Sequence, residues 1–297
     1  MRTRVRTYRG RCTIVALAAT LIVAVALRRS SAQEQYTHGQ TVVPAYEGFV
    51  ENPDGTFDLV FGYLNRNYEE VLDIPIGPAN SIEPGGPDQG QPTHFLTRRQ
   101  RHQFHIKVPK DFGNKEVVWT LTSRGKTEKA YGTLKPEYIL DNRVMMMNNS
   151  SFGQRGNEGD NLPPVVRVEG ETRRTVKVGE PVTLTAIVTD DGLPAPPGAL
   201  DRRPAAGGAE GVGNSSNRRQ YGLRAAWYVY RRAGSVTFEP EQLIRPYPPG
   251  RIPPPLPKDG RVSVKATFGA PGTYVVRVMG DDMGLHTTQD VTITVVP

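Results

Sequence analysis

Cysteine is nearly absent from this 297-residue sequence: Cys12 is the only one, so the chain beyond it contains no disulfide, no thiolate nucleophile and no Cys-based metal site. Excess charge is also missing from the body of the chain. The formal net charge of +7 is carried by Arg2, Arg4, Arg6, Arg9, Arg11, Arg28 and Arg29, because residues 1–32 contain no Asp, Glu or Lys. The neutral remainder argues against a nucleic-acid partner, since it would gain little from releasing phosphate counterions. There is no helix-length apolar stripe after residue 32, no Gly-x-Ser-x-Gly elbow and no spaced Asp/Asn/Gly calcium loop. What is abundant is turn chemistry: 31 Gly and 26 Pro make up roughly a fifth of the chain against a usual figure of about 12%. That composition favours short strands and many turns over helical bundles.

Residues 1–32 read as a secretory signal peptide: a basic start, an apolar run from Cys12 to Leu27, and Ser30-Ser31-Ala32 at the positions a signal peptidase reads. The expectation is cleavage after Ala32 and a periplasmic, cell-surface or secreted protein. If the leader stays uncleaved it is the only membrane contact, and its 16-residue run is short for a span of about 20.

The rest divides into an N-terminal β domain (33–142), a linker (143–163) and a second β domain (164–297), giving an all-β fold class of two β-sandwich-like domains. In the first, Phe57, Leu59, Phe61 and Tyr63 alternate after the turn residues Asn52-Pro53-Asp54-Gly55. Leu72/Ile74/Ile76, Phe104/Ile106/Val108 and Val117/Trp119/Leu121 follow, with a Gly/Pro/Asp-rich loop at 77–92. From Asp141 to Pro164 periodicity stops, and Met145-Met146-Met147 reads as apolar filler docked on a neighbouring domain. The second domain has seven alternating segments in about 130 residues, the size of an immunoglobulin-like sandwich. Insertions at 192–220 and 240–258, rich in Pro, Gly, Ser and Arg, interrupt it. Each domain has inward residues enough for its own core, so 164–297 is expected to fold alone.

Val178-Gly179-Glu180-Pro181-Val182-Thr183-Leu184-Thr185, the lone strand Trp227, Ala270-Pro271-Gly272-Thr273-Tyr274 and Asp281-Asp282-Met283-Gly284-Leu285 together resemble bacterial extracellular Ig-like modules of the PKD type. The resemblance covers about 164–297 and implies a non-catalytic spacer or binding unit on an exported protein. The acidic Gly-rich turn such modules carry after their Trp is replaced here by Tyr228-Val229-Tyr230-Arg231-Arg232.

Strand parity sends the connections 189–222, 239–260 and 280–286 to one pole, where Asp190, Asp191, Asp281 and Asp282 are candidate calcium ligands. Arg98, Arg99 and Arg101 form the densest basic stretch after the leader and are candidates for an anionic ligand. Tyr228 and Tyr230 face away from Trp227 and are candidates for stacking on sugar rings, or for packing against a neighbouring domain. His94, His102 and His105 invite a metal site, but on a strand His102 and His105 point to opposite faces and cannot share an ion without a bulge. Trp119, Trp227, Phe104 and Tyr274 belong to the cores, with Tyr274 in position to tie a sandwich corner. The chain therefore reads as an exported, non-catalytic structural or binding protein with an envelope protein or glycan as partner. The alternatives are a carbohydrate-binding accessory module and, third, a hydrolase. No cofactor beyond calcium is indicated.

Overall fold

A computed structural model describes residues 36–149, 160–194, 222–244, 253 and 256–297; the leader and most of both insertions lie outside the described residues. The first lobe runs β1 (Val42–Glu51), β2 (Phe57–Asn65), β3 (Leu72–Asp73), β4 (Asn80–Glu83), β5 (His94–Phe95), β6 (Arg98–Val108), β7 (Val117–Ser123) and β8 (Lys126–Gly132). Asn52 to Gly55 close the β1–β2 hairpin, with the Gly55 amide donating to the Asn52 carbonyl (2.9 Å). Sheets β1-β2-β6 and β4-β7-β8 share one core in which Leu59, Phe61, Phe104, Trp119 and Leu121 are buried. The Trp119 ring meets Phe104 edge-on at 4.9 Å, and its indole N–H donates to Asn80 Oδ1 (3.0 Å). The Asn80 amide in turn donates to the carbonyls of Ile74 and Pro92, which fastens the base of the Gly/Pro-rich loop.

Three strands of this lobe escape the sequence pattern, the two-residue β5 among them. β4 lies inside the segment 77–92 read as loop. β8 turns only Ala130 and Gly132 fully inward, too few apolar side chains to register as alternation. The linker is also more regular than its composition suggests: Asn142–Asn149 forms helix α1. Asp141 starts it, its Oδ1 accepting the Val144 amide (2.8 Å) as an N-cap does. The methionine run divides, with Met146 1% exposed and Met147 58%. Met146 fills a gap beside Gly284 and Asn161.

The second lobe runs β9 (Val165–Val168), β10 (Arg173–Lys177), β11 (Val182–Thr189), β12 (Arg224–Arg231), β13 (Val236–Glu239), β14 (Arg261–Phe268), β15 (Gly272–Asp281) and β16 (His286–Val296). Sheets β9-β11-β14-β13 and β10-β16-β15-β12 enclose Trp227, Phe268, Tyr274, Val276 and Ile293. This is an immunoglobulin-like sandwich with eight strands among the described residues, which corrects the count of seven. After β9 the chain crosses to the other sheet as β10, parallel to β16. β10 has no fully buried residue and so left no alternation to read. The Tyr274 hydroxyl donates to the Ala270 carbonyl (2.9 Å), the corner tie its position predicted.

Pairings Ile187 with Arg261 and Arg224 with Asp281 bring the two long connections and the short β15–β16 turn to one pole, as strand parity requires. The described residues from Thr37 onward pack as one unit. Among the described residues no helix is long and apolar enough to cross a membrane.

Candidate binding site

The outer face of β12-β15-β16 decides what is open for binding. Tyr228, Arg277 and Asp290 stand opposite one another across the three strands, with Tyr230 two residues along. Their neighbours Val275 and Met279 make this an apolar face, and residues 88–103 of the first lobe cover it. Arg277, 6% exposed, forms a bidentate pair with Asp290 (2.6 and 2.9 Å) and also donates to the Gln103 carbonyl. Its guanidinium lies 3.5 Å over the Tyr230 ring. The Tyr228 hydroxyl donates to Gln103 Oε1 (3.3 Å) and that of Tyr230 to the Gly90 carbonyl (2.7 Å). Arg231 grips Asp88 with two bonds, and Arg232 grips Asp73, which also meets His94 at 2.7 Å.

Burial pushes the Tyr228 hydroxyl up to about 12. Burial opposes charge on Arg277, but Tyr230, Tyr228 and Asp290 hold its pKa above the ordinary value. Burial alone would raise Asp73, yet hydrogen bonds from His94 and Arg232 outweigh it and bring the carboxyl down to about 2. Tyr228 and Tyr230 are therefore interior residues of a lobe junction. The sugar-stacking reading is corrected because both rings are covered by the chain itself.

A second feature grows from paired irregularities in the first lobe. β1 bulges between Tyr46 and Gly48, and β6 between Gln100 and Phe104, where three residues oppose the single Gly62 of β2. Gly62 is required there, since a Cβ would collide with the Glu47 carboxylate and the Gln100 carbonyl. The first bulge turns Glu47 inward, its side chain 3% exposed, to meet Arg99 at 2.6 Å and Arg101 at 3.5 Å. Burial raises the Glu47 pKa while the two guanidiniums oppose the rise.

The second bulge holds His102 at φ 48° with its ring 5.6 Å from that of His286. Burial, then His286 and Arg101, drives His102 down to about 2, so the ring is neutral. His94 and His105 face Asp73 and Asp58 instead, so the three histidines stay apart. The basic triad divides as well. Arg98 leaves the group to lie 3.9 Å over the Tyr68 ring and to donate to the Arg66 carbonyl. Arg99 and Arg101 line a recess of about 230 Å³ between β6, α1 and the β15–β16 turn, with Gln103, Asn148, Asp281 and His286.

At the pole a larger recess of about 430 Å³ is bounded by all three connections, with Leu193, Leu223 and Leu256 beside Asp190, Lys258 and Asp259. The four aspartates proposed for calcium do not converge. Asp281 borders the junction recess and Asp282 the recess at the pole. Each caps backbone: Asp190 accepts from the Gly192 amide, Asp191 from Leu162 and Leu193, Asp281 from Met283, and Asp282 from Gly284 and Leu285. Asp282 Oδ2 also receives the Asn161 amide (3.1 Å). Burial outweighs these bonds and raises the Asp282 pKa to about 7; burial likewise raises Asp190. Among the described residues no three His, Cys, Asp or Glu side chains form a metal-binding group.

Arg277, Gln103 and Glu47 were not found from the sequence. A signal for Arg277 existed: the outward positions of β15 read Val275, Arg277, Met279, apolar on either side of one arginine, which is not the composition of a solvated face. No such signal marks Glu47, whose inward turn depends on a bulge.

No protein-family model and no curated protein sequence matches the chain. Among solved structures it is similar to immunoglobulin domains 1–4 of Sidekick-1, with 12% identity, 88% of this chain and 51% of that chain covered, and a TM-score of 0.23. It is also similar to the D00-D0 domain of intimin (12%, 86% and 100%, 0.24) and to domains 4 and 5 of the S-layer protein SbsC (10%, 87% and 98%, 0.23). The chain spans about half the length of the Sidekick-1 chain. The immunoglobulin-like character of residues 165–296 is defined by their own strand order and register.

Proposed function

We propose that the chain is an exported, non-catalytic binding or structural protein of the bacterial envelope or exterior, with recognition at the loop pole of its Ig-like lobe. The observation that carries this reading is the recess of about 430 Å³ where three interstrand connections meet. A rigid sandwich beneath them holds several loops close together, the usual way such folds present a site. Closure of the aromatic sheet face by the first lobe leaves the pole as the larger opening. The PKD-type resemblance of 164–297 supports a spacer or binding module, and the leader supports export.

An envelope protein or glycan is the partner class. Protein beginning at Gln33 should co-sediment with host envelopes, and Leu223→Asp and Leu256→Asp should each lose that retention with an unchanged circular dichroism spectrum. Retention unaltered in both would overturn the pole as the site. Mass spectrometry of the native protein should find Gln33 at its N-terminus; recovery of Met1 would overturn export by cleavage.

A further inference from the structure

One contact at the lobe junction is made by two imidazoles. His102 of β6 and His286 of β16 bring their ring centroids to 5.6 Å, with the planes tilted by 35°. His102 is 8% exposed, and its Nε2 is buried with no hydrogen-bond partner among the described residues. The bulge in β6 holds the residue in the left-handed region at φ 48°. Next along the strand, Gln103 is clasped by the other lobe, its carbonyl accepting from Arg277 and its Oε1 from Tyr228. His102 therefore sits beside the bonds that close the outer face of β12-β15-β16.

A proton on this ring would meet no compensating charge. The groups that act on it are basic: His286 from β16, then Arg101, His105 and Arg99 of its own strand. The carboxylates nearby have other work. Glu47 of β1 is engaged by Arg99 and Arg101, and Asp58 of β2 faces His105. On β15, Asp281 stands opposite His286 with its Oδ1 accepting the Met283 amide, while Arg277 is paired with Asp290 of β16. Burial and the basic neighbours hold the His102 pKa at about 2, against an ordinary 6.5. With the lobes apart the ring would return to water and to the ordinary value. A depressed folded value means that the stability of the closed junction is fully present above about pH 6.5 and is lost progressively below it. We propose that His102 is a proton-sensitive latch, so that acid loosens the first lobe from the Ig-like lobe and uncovers Arg277, Tyr228 and Tyr230. The latch does not depend on the pole reading.

A reporter thiol under the cover tests it. The chain from Gln33 onward has no cysteine, so Met279→Cys places a single thiol at a junction position that is 8% exposed. Labelling rates of this protein, divided by those of the same chain unfolded in urea, cancel the ionisation of the thiol itself. If opening frees His102 to titrate at about 6.5, the normalised rate should rise about tenfold between about pH 7.5 and 5.5. Adding His102→Asn, which stays neutral and tolerates left-handed backbone, should hold the rate within about twofold over the same range. Asp282 titrates in both chains, so the difference between them belongs to His102. A measurement without any variant is the proton resonance titration of the five histidines, of which at least one should stay neutral in the folded chain between about pH 8 and 5. Labelling that does not change with pH, an equal rise in the His102→Asn protein, or five imidazoles that all titrate near the ordinary value would overturn the latch.

Discussion

The two sheets of the Ig-like lobe have the same inward pattern and opposite outward fates. On β14 buried and open positions alternate, and the outward side chains are Arg261, Ser263, Lys265 and Thr267. There Ser263 bonds Thr185 across the strand pair at 2.9 Å on an exposed face. On β15 burial becomes continuous from Val276 to Asp281, and the outward residues are Val275, Arg277 and Met279. An antiparallel sandwich ordinarily leaves its outer faces to water, and continuous burial marks a strand covered on both sides. The cover is the bulged strand β6 with the segment before it. Arg277 tolerates burial there because Asp290, the Gln103 carbonyl and the Tyr230 ring replace its water. Inward alternation thus identifies a sandwich, while outward composition identifies which face another lobe will close.

Variants sharpen this contrast in order of expected effect. Trp227→Ala, in the core common to both sheets, should cost about 3–5 kcal/mol in urea unfolding; a loss below about 1 kcal/mol would put the ring outside the core. Arg277→Met should cost about 1–3 kcal/mol, chiefly because it leaves the Gln103 carbonyl unpaired at a buried junction, and Arg277→Met with Asp290→Leu should recover a smaller part of the loss, since the Asp290 side chain is 40% exposed. Equal losses in the single and double variants would contradict that account.

Asp282 supplies a pH-dependent test at the pole end. Its folded-state pKa is raised to about 7 from 3.8, so its contribution to stability is fully present below about pH 4 and is lost as pH rises through about 7. Asp282→Asn mimics the protonated form. It should gain on the order of 1 kcal/mol over the wild type at pH 8 and nothing at pH 4. Melting curves that differ equally at both pH values would contradict the shift. Thr185→Ala, on the open face, should change stability by no more than about 0.5 kcal/mol.

The contrast also explains what was legible beforehand. Trp227, Tyr274 and the shared pole follow from alternation and strand parity, which are local properties of sequence. β10 and β8 were hidden because strands with few inward apolar residues carry no alternation. Helix α1 has a readable N-cap in Asp141, but eight residues with one fully buried side chain give almost no stripe. The candidate site was legible by residue and not by role. Arg99 and Arg101 do border a recess, Tyr228 and Tyr230 lie at a junction, and the aspartates cap turns. Which role each takes depends on bulges at Glu47 and His102 and on a face closed by residues more than 120 positions away in sequence, and no window of the chain records either.

Calorimetry of protein beginning at Gln33 tests the closed face most directly. With Arg277 present the two lobes should unfold in one transition whose calorimetric and van't Hoff enthalpies agree, and Arg277→Met should split it into two. Two transitions in the wild type, or a single transition unchanged in Arg277→Met, would contradict a junction that couples the lobes.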